Sequence, residues 1–125
     1  MVALNAANWY FFAILGLSAG ILSGALGVGS GIIVVPALVM FMGATQKEAQ
    51  GTALALMIVM AVTGTIRYSI NPEIKLYFYG IVFLSIFAII GSNIGSSIAF
   101  SLPEAALKKI FAVFIIIVGL RMLIK

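Results

Sequence analysis

The sequence predicts an all-α protein that is embedded in a membrane as a polytopic bundle of transmembrane helices. Of its 125 residues, 64% are hydrophobic and 8% are charged, and the mean hydropathy is +1.29. A soluble domain carries about 25% charged residues, so the composition excludes a soluble globular protein, a disordered chain and a nucleic-acid binder. Three stretches, 1–46, 49–66 and 76–103, contain no charged residue, and a spanning helix needs about 20 apolar residues.

The first charge-free stretch is too long for one helix and is predicted to break. Trp9 and Tyr10 are typical of an aromatic anchor at the membrane interface. The first helix then ends at the Gly-Val-Gly-Ser-Gly sequence of residues 27–31. The apolar segment that follows makes about 16 Å of helix, roughly half a bilayer. We therefore expect the 9–43 unit to be a re-entrant or half-helix hairpin.

Three long helices are expected after this unit, over about 46–69, 72–100 and 102–124. The first has a capping box, with Thr45 as the N-cap and Glu48 three residues later. The second has Asn71 before Pro72, a good N-cap followed by a proline at the first helical position. The third start repeats the capping-box spacing, with Ser101 and Glu104. Because no repeat or linker is visible, residues 1–125 are expected to form one transmembrane domain.

The basic residues give almost no preference for membrane orientation. Residues 1–8 contain no Lys or Arg, so a cleaved signal peptide is not expected. Successive loops would place three basic residues on one side and four on the other, a negligible bias under the positive-inside rule. The chain either inserts both ways and pairs with an inverted copy, or packing and the insertion machinery fix one orientation. The first group is Lys47, Lys108 and Lys109, and the second is Arg67, Lys75, Arg121 and Lys125.

Glycines recur every fourth residue in two of the predicted helices. Small residues at this spacing let helix backbones approach closely in lipid. We assign them to helix packing, with a glycine-lined substrate path as the minor alternative. They are Gly16, Gly20 and Gly24 in the first helix, and Gly91 and Gly95 in the helix over 72–100.

The glycine-rich break at residues 27–31 is the candidate substrate site. Broken backbone is tolerated in a membrane only inside protein or along a wet cavity. Its N–H groups would face the positive end of the following helix dipole, an arrangement that suits an anion. Gly27, Gly29, Ser30 and Gly31 are the candidate residues. A tight turn between two packed helices is an equally good interpretation.

Three further residues are weaker candidates for substrate binding. Gly51 and Thr52, one turn into the helix over 46–69, could open backbone and hydroxyl groups to the same cavity. Asn93 is the most polar side chain in the middle of the 76–103 stretch. The alternatives are a hydroxyl bonded back to its own helix for Thr52 and interhelical hydrogen bonding for Asn93.

The residues that the sequence lacks exclude several functions. It has no His and no Cys, and its three acidic residues lie at predicted helix starts. We therefore expect no enzyme, no cofactor and no metal site. A cation exporter normally has a carboxylate buried in the membrane, so that class is disfavoured as well.

Three blocks of the sequence, residues 24–38, 48–55 and 91–96, resemble those of the sulfite exporter TauE/SafE family of membrane permeases. Residues 24–38 are similar to its G-x-x-G-x-G-G-G-x-x-x-x-P-x-L signature, with Ser30 in place of the middle glycine. Residues 48–55 resemble its E-A-x-G-T-S-L-A block, with Ala53 in place of the serine, and residues 91–96 fall at its third, glycine-spaced helix. Members of the family typically contain two such units, so we expect this chain to be one unit that works as a homodimer, antiparallel if it inserts both ways.

The resemblance implies a secondary transporter for small sulfur-containing anions such as sulfite, thiosulfate, sulfonates or sulfoacetate. It also implies a location in the cell membrane, alternating access, and coupling to the proton gradient, although no titratable group lies in the predicted core. A small multidrug-type cation exporter and a passive anion pore or non-transporting subunit are the alternatives. The expected partners are the lipid bilayer, the anion and a second copy of the chain, and nucleic acid is not expected.

Overall fold

The computed structural model describes residues 9–124, and these form five helices. The expectation about a signal peptide falls on residues 1–8, outside the described part of the chain. The all-helical class is confirmed. The helices are α1 (Trp9–Leu26), α2 (Gly31–Met42), α3 (Gln46–Ser69), α4 (Phe78–Ser101) and α5 (Glu104–Ile124).

Three of the helices are long and apolar enough to cross a membrane. These are α1, with 18 residues, and α3 and α4, with 24 residues each. Helix α2 is apolar but has only 12 residues, with Pro36 inside it. Helix α5 is 21 residues long and carries four charged side chains. The chain is therefore a multi-pass membrane protein.

The chain divides into two units, Met1–Thr65 and Ile66–Lys125, which we call the N-terminal unit and the C-terminal unit. The expectation of a single domain stays a prediction. The N-terminal unit has a small core drawn from all three of its helices. Its buried apolar residues are Ala19 from α1, Val34, Val35, Leu38 and Met42 from α2, Ala44 between the helices, and Ala49 and Ala53 from α3.

Helix α2 ends at a glycine, as its sequence requires. Gly43 adopts φ 67°, a left-handed conformation that is costly for residues with a Cβ. The N–H of Ala44 then donates to the carbonyl of Leu38 at 3.1 Å, which satisfies one of the carbonyls left open at the helix end. The chain turns at once into α3.

The capping box at the start of α3 is confirmed. The backbone N–H of Thr45 donates to the Glu48 carboxylate at 2.9 Å, and the N–H of Glu48 donates to the Thr45 hydroxyl at 3.2 Å. Two backbone donors at the helix start are thereby satisfied reciprocally. Helix α3 then runs over 46–69, as expected.

The expected start of the next helix at residue 72 is wrong, because α4 begins at Phe78. Asn71 forms a turn instead of an N-cap. Its side-chain oxygen accepts from the N–H of Glu73 at 3.0 Å, and its carbonyl accepts from the N–H of Ile74 at 3.2 Å. Asn favours such local bonds, and here they compete with helix formation.

The expected start of the last helix is also wrong in detail. Ser101 is the final residue of α4, and its hydroxyl donates to the carbonyl of Ile98 at 2.8 Å. Helix α5 begins at Glu104, and its first turn closes with the Leu107 N–H donating to the Pro103 carbonyl at 3.0 Å. The hydroxyl therefore ends one helix and does not cap the next.

The C-terminal unit buries very little of its apolar surface. None of the residues of α4 is buried, and in α5 only Leu107 is. Large side chains along α4, such as Phe83 and Phe87, are more than 60% exposed. Such exposure is compatible with a lipid environment, because lipid tails are as apolar as these side chains and burial between helices brings no hydrophobic gain.

Candidate functional site

Two glycines with positive φ shape the break between α1 and α2. Gly27 has φ 68° and Gly29 has φ 77°. A residue with a Cβ adopts this region at a cost of roughly 1–2 kcal/mol. The four residues from Gly27 to Ser30 thereby end α1 and start α2 without a long loop. We call residues 27–31 the glycine turn.

The glycine turn presents backbone N–H groups that have no protein acceptor. Among the hydrogen bonds formed by residues 9–124, none is donated by the N–H of Gly29, Ser30 or Gly31. The carbonyl of Ser30 is engaged, since it accepts from the N–H groups of Ile33 at 3.1 Å and Val34 at 2.8 Å. The N-terminus of α2 therefore carries free donors together with the positive end of its dipole.

The side chain of Ser30 fixes the turn to α3. Ser30 is fully buried, and its hydroxyl donates to the carbonyl of Ala53 at 3.1 Å. Ala53 is itself 1% exposed. The Ser30 hydroxyl is thus engaged with α3, and the backbone of the turn carries the remaining donors.

Met57 also touches the glycine turn, and sequence analysis missed it. A Cβ built on Gly29 would lie 3.2 Å from the Cε of Met57, and one built on Gly31 would lie 3.1 Å from it. Met57 stands one helical turn beyond Ala53, so both residues face the turn. No sequence signal distinguishes this methionine from the other apolar residues of α3.

The structure does not join Thr52 to the glycine turn. Its hydroxyl donates to the carbonyl of Glu48 at 2.7 Å, within its own helix, and the residue is exposed. Gly51 is exposed too, and a Cβ built there would meet nothing within 4 Å. Both remain predicted site residues, and neither has a described contact with the glycine turn.

Asn93 lies in the C-terminal unit and bonds within its own helix. Its side-chain amide donates to the carbonyl of Ile89 at 2.9 Å, and the residue is exposed. The packing glycines are equally open. A Cβ built on Gly16, Gly20, Gly24, Gly91 or Gly95 would meet nothing within 4 Å.

No acidic residue lies in the glycine turn or in the helices on either side of it, α1 and α2. The sequence has three acidic residues, and Glu48, Glu73 and Glu104 are all exposed at helix starts or in a turn. Within residues 9–124, no group of His, Cys, Asp or Glu could hold a metal ion. The turn therefore offers hydrogen-bond donors without a competing negative charge nearby in the sequence.

Apolar spanning helices and a half-length helix after a glycine turn define a multi-pass membrane protein. The family model for the sulfite exporter TauE/SafE matches residues 3–122, so the chain belongs to this family. It is a family of transporters and not of enzymes.

Two bacterial relatives agree with this assignment. The chain is 30% identical over 122 residues to a "Probable membrane transporter protein" of Haemophilus influenzae, covering 88% of this chain and 45% of that protein. It is 28% identical over 125 residues to "Probable membrane transporter protein YunE" of Bacillus subtilis, covering 94% and 45%. The chain thus spans about half the length of these relatives. No solved structure matches it significantly.

Proposed function

We propose that the protein is a permease for small sulfur-containing anions and binds them at the glycine turn. The free N–H groups of Gly29, Ser30 and Gly31 carry this proposal. A backbone donor that is partly buried without an acceptor costs free energy, and a ligand that accepts from it recovers that cost. An oxyanion can accept from several such groups at once.

Electrostatics favour an anion over a cation at this position. The donors stand at the N-terminus of α2, where the helix dipole is positive. No carboxylate lies in the turn or in α2 to attract a cation. Membrane transporters use half-helix N-termini in this way for anionic substrates.

In this proposal the backbone of the glycine turn binds the anion, and Ser30 and Gly27 position that backbone. The hydroxyl of Ser30 holds the turn against Ala53, so the backbone supplies the binding groups. Gly27 provides the left-handed bend that aims them. Gly51, Thr52 and Asn93 stay predicted substrate-binding residues in this proposal.

The 9–43 unit is proposed to be a hairpin with its glycine turn inside the membrane. The rings of Phe11, near the start of α1, and Phe41, near the end of α2, lie 6.1 Å apart between centroids. This contact supports an antiparallel pair of helices. Helix α2, with 12 residues, is about 18 Å long and reaches only part of the way across a bilayer.

Two copies of the chain are proposed to form the transporter, with one copy rocking against the other in alternating access. The open glycine faces of α1 and α4 support close packing against further helices. Single-cysteine variants Lys47→Cys and Arg67→Cys, each labelled from one side of the membrane and then, in a separate sample, from the other, test orientation. Labelling of each variant from both sides supports antiparallel copies, whereas labelling from a single side overturns them.

Flux into proteoliposomes tests the proposed function. Uptake is measured with and without a pH gradient. We expect saturable uptake of sulfite, thiosulfate or a sulfonate by the wild-type protein. This uptake should be lost in the Gly31→Leu variant. Gly119→Leu is the matched control, because a Cβ at this α5 glycine meets nothing within 4 Å. Uptake of a quaternary-ammonium drug alone would indicate a cation exporter. Non-saturating anion current would indicate a pore, and no flux would indicate a non-transporting subunit.

A further inference from the structure

Met57 is placed where it can limit what the glycine turn accepts. Its terminal methyl lies against both Gly29 and Gly31, the two glycines that flank Ser30. Met57 is partly exposed, whereas Ala53 one turn earlier is buried. The side chain therefore reaches from α3 to the glycine turn and is only partly enclosed there.

We propose that Met57 sets the size of the anion that the protein transports. This inference rests on the proposed function, because it assigns a role at the same turn. The N–H groups of Gly29 to Gly31 would bind the oxygens of the SO3 group, which sulfite, thiosulfate and the sulfonates share. The Met57 thioether would then contact the rest of the molecule, where these anions differ.

The chemistry of the methionine side chain suits this role. It carries no strong hydrogen-bond donor, so it does not compete with the backbone for the anion. Three rotatable bonds let it adapt to substituents of moderate size. Its Cε also bears on Gly31, which has no positive φ: a Cβ there would lie 3.1 Å from this methyl, so the flexible end of Met57 would have to move by a few tenths of an ångström.

The test compares two anions that share a head group and a charge but differ in size, methanesulfonate and benzenesulfonate. Initial uptake is measured for both in proteoliposomes. Met57→Ala is expected to raise the benzenesulfonate-to-methanesulfonate flux ratio about tenfold or more. Met57→Phe is expected to lower it, and Met57→Leu, of similar volume, to leave it nearly unchanged. Met60→Ala is the matched control, being a second partly exposed methionine of α3 with no contact to the glycines.

A double variant tests the geometry itself. Gly31→Ala should reduce benzenesulfonate flux when Met57 is present, because the new Cβ pushes the methyl into the substrate's space. The reduction should disappear in the Gly31→Ala, Met57→Ala double variant. Two opposite size changes and this rescue keep the test decisive even if one variant fails to accumulate.

Each outcome separates this inference from the proposed function. If the wild-type protein transports sulfonates but the flux ratio stays within twofold in Met57→Ala and Met57→Phe, the role of Met57 is overturned and the proposed function stands. If the wild-type protein carries no sulfur anion at all, both are overturned. A change of ratio of the same size in Met60→Ala would also overturn the assignment to Met57.

Discussion

The two units of this protein are both rich in apolar residues, but they differ in how many of these residues they bury. The N-terminal unit places side chains of α1, α2 and α3 in one small core and fixes its glycine turn with the buried Ser30–Ala53 hydrogen bond. In the C-terminal unit, α4 has no buried residue. Lipid removes the hydrophobic drive for burial, so the packed core of the first unit depends on specific contacts.

Glycines make the contrast sharpest. Gly29 is favoured because its φ is positive, and a Cβ there would also be in tight contact, at 3.2 Å, with the flexible end of Met57. Gly91 is helical and has open space around it. The first is constrained by the structure of its own unit, whereas the second is constrained only by what packs on α4 from outside. Matched substitutions in the two units should therefore change the free energy of unfolding by different amounts.

The largest effect is expected for Gly29→Val. Strain at the left-handed φ and overlap with Met57 should together lower the free energy of unfolding by about 2–4 kcal/mol. Anion flux should be lost with it. Unfolding of the purified protein by denaturing detergent, followed by circular dichroism, measures the difference.

Gly91→Val is the control for this prediction. In open helix surface the same substitution should change the free energy of unfolding by no more than about 0.5 kcal/mol. Equal losses for the two variants would contradict the distinction between the units. A large loss at Gly91 alone would mean that α4 packs tightly on another helix in the solubilised protein.

Local sequence signals predicted the elements that local interactions determine. The capping residues Thr45 and Glu48 and the charge-free stretch after them predicted α3 with the bounds observed, 46–69. The glycine turn was predicted as a break because residues 27–31 alternate glycine with other residues inside an apolar stretch. In each case a few neighbouring residues decide the conformation.

Elements that depend on competition or on distant contacts were not predicted. Asn71 and Ser101 can cap a helix or bond elsewhere in the local backbone, and the structure has the second choice at both positions. The engagement of Ser30 with Ala53 joins residues 23 positions apart. The contact of Met57 with the turn likewise depends on how α3 packs, which composition and periodicity do not encode.

An intermediate effect is expected for Ser30→Ala. Removing the buried donor to Ala53 should lower the free energy of unfolding by about 1–2 kcal/mol. The matched change in the C-terminal unit is Ser85→Ala, whose exposed hydroxyl donates to Ile81 within α4 at 2.7 Å. That variant should stay within about 0.5 kcal/mol of wild type. If both variants unfold alike, the bond to Ala53 does not hold the glycine turn.

The smallest effect is expected at the two serine/threonine positions that sequence analysis took as N-caps. Thr45→Ala removes the hydroxyl that accepts from the Glu48 N–H, and should cost about 1 kcal/mol in the same unfolding measurement. Ser101→Ala should cost less than about 0.5 kcal/mol, because its hydroxyl only bonds back to Ile98 in the last turn of α4. A larger loss for Ser101→Ala than for Thr45→Ala would mean that Ser101 caps α5 in the membrane, and would place more order in the C-terminal unit than its exposed helices indicate.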